Sequence, residues 1–174
     1  MIETVKPTHP LWRAFDWVVN ACAALACLAI FSVFTSVIFD VVMRYSVSSP
    51  PPWPVPVTEY ALHIAVMFGA PYVLQHRGHV VVDAFLRILP ARWQAILLTV
   101  SKLLCVAGCT AFALLAWRIT WVSVVMGYDD VRAISVPESV LYGPMAISFT
   151  LMSLEFFRSL FDASPEALGA AADV

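Results

Sequence analysis

The sequence predicts an all-α integral membrane protein, with four transmembrane helices and a short interfacial amphipathic helix between helices two and three. Composition is the first indication: 61% of the 174 residues are hydrophobic and 13% are charged, whereas a soluble domain has about 25% charged residues. Second, the apolar residues fall into four long runs, which we expect to form one membrane domain over residues 1–174. Third, all six tryptophans lie near predicted span ends or in loops, as in an aromatic belt: Trp12, Trp17, Trp53, Trp93, Trp117 and Trp121.

The first predicted span covers residues 17–43. At about 1.5 Å per residue, this run crosses a hydrocarbon core of about 30 Å with some tilt. A cleaved signal peptide would have an apolar core of only about 7–15 residues, so we interpret the run as a retained span. Asp40 and Arg44 lie four residues apart near its end, with the acid first, which is the favourable order for an ion pair on one helical face.

A proline-rich segment separates the first two spans. Five prolines surround Trp53 within residues 49–56. Because proline lacks an N–H and biases the preceding residue towards extended geometry, the segment is predicted to be a stiff loop that cannot continue a helix. The second span follows over residues 57–75, where Gly69 and Pro71 are expected to bend the helix.

The connection to the third span contains the predicted interfacial helix. Residues 76–79 read as a turn, and residues 80–89 are too few to cross a bilayer. Asp83 and Arg87 are four residues apart among apolar neighbours, a pattern typical of a helix that lies in the membrane interface. Pro90 is expected to end it.

The third span is predicted over residues 93–117 and the fourth over residues 136–161. Lys102 lies within the third span, and its long side chain can extend back along the helix towards the headgroups. A polar loop, residues 118–135, connects the two spans. Pro137 falls in the first turn of the fourth span, where proline is tolerated.

Basic residues near the span ends predict the orientation. One side carries Lys6, Arg13, Arg77, Arg87, Arg92 and Arg158, and the other carries Arg44, Arg118 and Arg132. Because cytoplasmic loops have an excess of Lys and Arg, we expect both termini and the interfacial helix in the cytoplasm. The proline-rich loop and the loop with Asp129 and Asp130 then face the outside.

The residues predict no catalytic, cofactor-binding or metal-ligating site. The net charge of −2 leaves no basic patch for nucleic acid, and the motifs of serine hydrolases and zinc proteases are absent. The four cysteines lie within spans and lack C-x-x-C spacing: Cys22, Cys27, Cys105 and Cys109. We interpret them as small packing residues, and expect helix contact faces over residues 21–29 and 107–111.

The histidines leave open one alternative, a haem-bearing anchor subunit of a membrane enzyme complex. Axial haem ligation commonly requires two side chains that face each other at a common depth. His63 lies about 9 Å into the second span at 1.5 Å per residue, and His76 and His79 are at its opposite end. A haem would therefore need a second ligand from a partner, and a hydrogen-bonded packing role is preferred for His63.

The ionisable residues of the spans are expected near their ends, with none at the midplane, where one would suggest an ion or substrate path. This distribution favours a membrane-embedded partner subunit over a catalyst or an independent exporter. Arg44 and Glu59 bracket the proline-rich loop. Two interpretations stay open: a partly exposed ion pair that contributes little, or a clamp that fixes the first two helices.

The order of these residues resembles the small membrane subunit of tripartite ATP-independent periplasmic (TRAP) transporters. The resemblance covers residues 17–157 and differs in the density of prolines around Trp53. It rests on five features in sequence: Arg44-Tyr45, the loop with Trp53, Glu59, Gln75-His76-Arg77-Gly78-His79-Val80-Val81-Val82-Asp83, and Leu89-Pro90-Ala91-Arg92.

The resemblance implies a scaffold subunit in the bacterial inner membrane, surrounded by lipid. In this family a large multi-span subunit carries the substrate and sodium sites, and a periplasmic solute-binding protein delivers an organic acid to the outer face. The small subunit would support the large one, without a transport site or cofactor of its own. The candidate structural or partner-interface residues are Arg44, Tyr45, Trp53, Glu59, Arg77, His79 and Asp83.

Overall fold

The computed structural model describes residues 10–46, 51–77, 91–131 and 135–161. They form four helices, α1 (Pro10–Ser46), α2 (Pro54–Arg77), α3 (Ala91–Met126) and α4 (Ser139–Phe161), with a two-stranded sheet of β1 (Asp129–Val131) and β2 (Ser135–Pro137) between α3 and α4. Each helix contains a segment long and apolar enough to cross a membrane. The predicted all-α class with four spans is confirmed. The predicted interfacial helix, residues 80–89, lies outside the described residues.

The third helix extends beyond its predicted end. The sequence suggested a loop from residue 118, but α3 continues to Met126. The extension contains no proline or glycine, and Arg118 is its single charged residue, so nothing in it interrupts the backbone hydrogen bonds of a helix. With 36 residues, α3 is about 54 Å long at 1.5 Å per residue.

The second helix begins three residues earlier than predicted, at Pro54. The Trp53 carbonyl accepts the first helical hydrogen bond, from the N–H of Val57, at 3.2 Å. Pro54 and Pro56 therefore occupy the first turn. Their missing N–H groups cost nothing there, because first-turn N–H groups have no partner within a helix.

The fourth helix begins three residues later than predicted, at Ser139. Pro137 belongs to β2, and not to the first turn of the helix. The carbonyl of Glu138 accepts hydrogen bonds from the N–H groups of Leu141, at 2.9 Å, and Tyr142, at 3.1 Å. Glu138 therefore starts the helical pattern, and the preceding residues are free to pair with β1.

The chain divides into two compact units. The first contains α1 and α2 as far as Tyr72, and its buried positions are small or medium in size: Val19, Cys22, Ala26, Ala61 and Ala65. A Cβ placed on Gly69 would lie 3.8 Å from the Cβ of Ala26, which is ordinary van der Waals contact. Small side chains therefore allow α1 and α2 to approach closely, and the predicted contact face over residues 21–29 is present at Cys22 and Ala26.

The second unit contains the hairpin of α3 and α4. Its buried residues include several small ones and two larger ones: Ala113, Ala116 and Ser123 on α3, with Ala146, Ser148, Leu151 and Phe156 on α4. The predicted contact face over residues 107–111 is present at Thr110, whose hydroxyl lies 2.7 Å from that of Ser153 on α4, whereas Ala107 and Ala111 are exposed. The buried alanines of α3 lie further along, at Ala113 and Ala116, three residues apart.

A glycine ends α3. Gly127 has a φ of +67°, in the left-handed region. The carbonyl of Ser123 accepts hydrogen bonds from the N–H groups of both Gly127, at 3.0 Å, and Tyr128, at 3.2 Å. This is the usual geometry of a glycine C-cap, and it turns the chain into the β1–β2 hairpin.

We expect Gly127→Ala to lower the thermal stability of the purified protein by a few degrees. A left-handed conformation costs an L-residue about 1–2 kcal/mol, and about 1 kcal/mol moves the melting temperature by about 2–4 °C in a protein of this size. Gly108→Ala is the matched control: it lies inside α3, and its added Cβ meets nothing within 4 Å, so it should preserve or raise stability. Equal melting temperatures for the two variants would contradict this account of the cap.

Candidate functional site

Four hydrogen bonds made by side chains of α3 link it to α4 or to Glu138, the residue just before α4, along most of the length of α4. From one end of the hairpin to the other, they join Lys102 Nζ to the Ser159 carbonyl (2.7 Å), Thr110 Oγ1 to Ser153 Oγ (2.7 Å), Trp117 Nε1 to Thr150 Oγ1 (3.1 Å) and Ser123 Oγ to Glu138 Oε2 (3.1 Å). We call this set the α3–α4 ladder. Interhelical hydrogen bonds in lipid contribute about 0.6–2 kcal/mol each, so the ladder makes the hairpin a stiff unit.

Lys102 forms the rung nearest the C-terminus of α4. Its ammonium donates to the carbonyl of Ser159, two residues before the end of α4. The last carbonyls of a helix have no partner within it and carry partial negative charge, so a lysine stabilises them. The sequence suggested that Lys102 extends back along its own helix; the structure instead places its ammonium on the neighbouring helix.

Trp117 forms a rung well inside the hairpin. It lies nine residues before the end of α3, and its partner Thr150 lies eleven residues into α4. At 1.5 Å per residue these are depths of about 14–17 Å from the helix ends. Helix α3 therefore continues well beyond Trp117, and the position of Trp117 at the end of a membrane span stays a prediction. A stacked pair, Phe112 and Phe149, lies alongside with ring centroids 5.3 Å apart.

Hydroxyl groups also fix the start of α2 against α1. Ser36 is 6% exposed, and its Oγ donates to the carbonyl of Pro54 at 3.2 Å. The same carbonyl accepts the hydroxyl of Thr58 at 2.9 Å. The buried first turn of α2 is therefore held by a polar contact that is independent of the proline-rich loop before it.

Trp53 packs on the same part of α1. Its ring lies 5.2 Å from that of Phe39, centroid to centroid, at an interplanar angle of 32°. Beside the pair is an open groove of about 400 Å³, lined by Phe31, Ser32, Thr35, Ser36, Phe39, Trp53 and Val57. The hydroxyls of Ser32 and Thr35 donate to carbonyls of their own helix. The groove therefore offers a mainly apolar surface, suited to side chains or acyl chains.

The charged residues at the end of α1 form a pair within the helix. Arg44 NH2 lies 2.9 Å from Asp40 Oδ2, so the predicted ion pair between positions four apart is confirmed. The predicted clamp, an ion pair between Arg44 and Glu59, would require Arg44 to leave Asp40. Tyr45 is 89% exposed beside Arg44, and the exposed Glu59 has a contact of its own elsewhere.

The other predicted site residues follow α2. Arg77 is the last residue of α2, but its side chain lies outside the described residues, as do His79 and Asp83. His63 is described and partly exposed. Because α2 begins at Pro54, His63 is nine residues, or about 14 Å, from its start. It therefore lies near the middle of α2, and the expectation that no ionisable group lies at the bilayer midplane stays a prediction.

Sequence reasoning missed most of the polar contacts between helices. Several of the residues that bond between helices lie within apolar runs, where a single Ser or Thr does not indicate an interhelical contact: Ser36, Thr110, Thr150 and Ser153. Their spacing on α3 is a usable signal, since the ladder positions 102, 110, 117 and 123 recur every six to eight residues, close to two helical turns. Within the described ranges, no group of His, Cys, Asp and Glu is arranged to hold a metal ion.

Comparison with known families agrees with this architecture. Residues 33–165 match the family described as tripartite ATP-independent periplasmic transporters, DctQ component. The chain belongs to this family. A search of curated proteins found no match. The DctQ match runs from the second half of α1 to just beyond the end of α4, so it includes the contacts of Ser36 and Phe39 with the start of α2 and the whole α3–α4 ladder.

Membership establishes the broad role of the chain. A DctQ protein is the small component of a TRAP transporter, a family of transporter components and not of enzymes. With four helices able to span the membrane, this DctQ component is a multi-pass membrane protein. The small-subunit resemblance is thereby confirmed, and the family favours a transporter component over the haem-bearing anchor considered as the alternative. Its broad partners are the large membrane component and a periplasmic binding protein.

We expect Thr150→Val to weaken the α3–α4 hairpin. The change keeps the side-chain volume but leaves Trp117 Nε1 without its acceptor, and an interhelical hydrogen bond in lipid contributes about 0.6–2 kcal/mol. Thr120→Val is the matched control, because the Thr120 hydroxyl donates only to Ala116 in its own helix. The melting temperature in detergent and the wavelength of tryptophan emission should change for Thr150→Val alone. A similar fall in melting temperature in both variants would contradict a stabilising role of the hydrogen bond between Trp117 and Thr150.

Proposed function

We propose that this DctQ component is the static scaffold subunit of a sodium-driven transporter for organic acids, and that a periplasmic binding protein delivers the substrate. The observation that supports this role is the α3–α4 ladder. Polar groups in the two spans are used to hold one helix to the other, from Lys102 at one end to Glu138 at the other. Because α3 and α4 are hydrogen-bonded along their length, the hairpin is better suited to support a moving partner than to move during transport.

The charged residues support the absence of a transport site. Among the described residues, Asp, Glu, Lys and Arg lie within about two turns of a helix end, apart from Lys102 and Arg118 on the long α3. Lys102 reaches the end of α4, and Arg118 is exposed. Transporters usually bind ions and substrate at interrupted helices near the midplane. The four described helices are continuous, so the substrate and sodium sites are assigned to the large component.

The partner contacts are proposed at both ends of the first two spans. Tyr45, Trp53 and the groove beside it present apolar and aromatic surface where α1 ends and α2 begins. Arg44 and Glu59 are exposed polar residues at the same end, and we assign them to contacts with the large component or the binding protein. Arg77, His79 and Asp83 follow at the opposite end of α2, where we assign them to the cytoplasmic side.

Reconstitution tests the assignment of roles. Vesicles that contain this chain, the large component, the binding protein and an inward sodium gradient should accumulate a radiolabelled organic acid. Vesicles with this chain as their single membrane component should show no uptake above empty vesicles, because it has no transport site. Uptake by this chain alone would refute the scaffold role, whereas full uptake by the large component alone would show that the scaffold is dispensable.

Cysteine labelling tests the orientation, with both termini proposed in the cytoplasm. In a variant without the four native cysteines, a cysteine at Asp129 should react with a membrane-impermeant maleimide added to intact cells from the periplasmic side. A cysteine at His76 should react after the inner membrane is opened. Both positions are exposed in the structure, so a difference in labelling between them reports the side of the membrane and not burial in the protein. Labelling of position 76 in intact cells would reverse the orientation.

A further inference from the structure

We propose that Lys102 binds the phosphate of an anionic phospholipid at the open end of the α3–α4 hairpin. The geometry places its ammonium at the membrane boundary. Helix α4 ends at Phe161, and the sequence that follows, Asp162-Ala163-Ser164-Pro165-Glu166, is polar. Because Lys102 Nζ donates to the carbonyl of Ser159, the charge lies where α4 leaves the hydrocarbon layer, at the depth of lipid headgroups.

The hydrogen bonds of Lys102 leave capacity for an anion. An ammonium has three N–H donors, and the described part of the chain supplies one acceptor, the neutral carbonyl of Ser159. The negative end of the α4 dipole, about half an elementary charge, offsets part of the positive charge. A carboxylate is not among the contacts that the described residues make with Lys102, so part of its charge is left for a ligand.

The described charges near Lys102 do not cancel this excess. Arg158, one residue before the Ser159 carbonyl, lies 3.9 Å from Glu155, and both side chains are about five-sixths buried. The pair is neutral as a unit, so among these described side chains Lys102 carries the net positive charge. A half-buried cation beside lipid is stabilised by a nearby anion, and phosphate is the anion that the headgroup layer supplies.

The surface beside Lys102 fits the rest of a lipid molecule. Val100, Leu103 and Leu104, on the turn of α3 that carries Lys102, are 49%, 58% and 68% exposed, so this level of the helix presents apolar side chains to the acyl layer. A cation beside apolar surface at a span end is the chemistry that recognises an anionic headgroup with its acyl chains. A free phosphate ion would use the cation alone. This inference is independent of the proposed transport role and of the direction of insertion.

Lipid competition tests the proposal on the purified full-length chain. Native mass spectrometry in an equimolar mixture of phosphatidylglycerol and phosphatidylcholine with identical acyl chains should show preferential retention of phosphatidylglycerol. Lys102→Gln should reduce that preference about fivefold, the effect expected of one cation near an anionic surface. Lys102→Arg should retain it, since charge and donors remain. Arg118→Gln removes an exposed cation elsewhere on α3 and should leave the preference unchanged.

Several outcomes would overturn the proposal. An unchanged preference in Lys102→Gln would exclude the site, and an equal loss in Arg118→Gln would indicate attraction by overall charge. Displacement of phosphatidylglycerol by millimolar inorganic phosphate would identify a free anion as the ligand and refute the lipid. Circular dichroism and melting temperature in neutral detergent check that each variant is folded.

Chemical protection gives a second test that requires no change at position 102. Lys6 and Lys102 are the lysines of the chain, so Lys6→Arg leaves one lysine ammonium to modify. Acylation of Lys102 by an amine-reactive ester, measured on the peptide, should be several-fold slower in nanodiscs of phosphatidylglycerol than in nanodiscs of phosphatidylcholine. Equal rates in the two lipids would contradict phosphate binding by Lys102, whether or not Lys102→Gln folds.

Discussion

The structure depends on one constraint: a polar group inside lipid has no water to satisfy it and must find a partner in the protein. Hydroxyl groups within the spans therefore donate to carbonyls of their own helix, as Thr35 and Thr120 do, or reach the neighbouring helix, as Ser36 and Thr110 do. The first kind leaves the helix independent of its neighbour. The second kind specifies which helices pair and at what register.

Both units combine a long helix with a shorter one. α1 and α3 have 37 and 36 residues, whereas α2 and α4 have 24 and 23. In each unit a polar side chain of the long helix holds an end of the short one: Ser36 bonds the first residue of α2, and Lys102 bonds the last turn of α4. Each long helix therefore extends beyond its shorter partner, and at the C-terminal end of α1 the apolar side chains of Val41 and Val42 are 46% and 53% exposed.

A DctQ component with this construction fits a supporting role. The described polar contacts stiffen helix pairs, and many exposed apolar residues lie elsewhere on the helices. Among the described Asp, Glu, His, Lys and Arg residues, His63 lies nearest to the middle of its helix, and it makes a contact of its own. In the proposed role, the large component carries out transport and the small one supports it.

The sequence by itself determined the class, the four spans and the family resemblance. These follow from the amount and length of apolar sequence, which lipid requires of any spanning helix, and from the short motifs around Arg44 and Glu59. The ion pair of Asp40 and Arg44 was also predictable, because four residues within one helix fix its geometry.

Only the tertiary structure decided the helix limits and the partners of the polar residues. The sequence placed Pro54 and Pro56 in a loop, but the first turn of α2 accommodates both. It placed Trp117 at the end of the third span, but helix α3 continues beyond this residue. The partners of Lys102, Ser36 and Trp117 are distant in the chain. Local sequence pattern reports the period and length of a helix, whereas a hydrogen bond between helices depends on their relative depth and rotation, which packing sets.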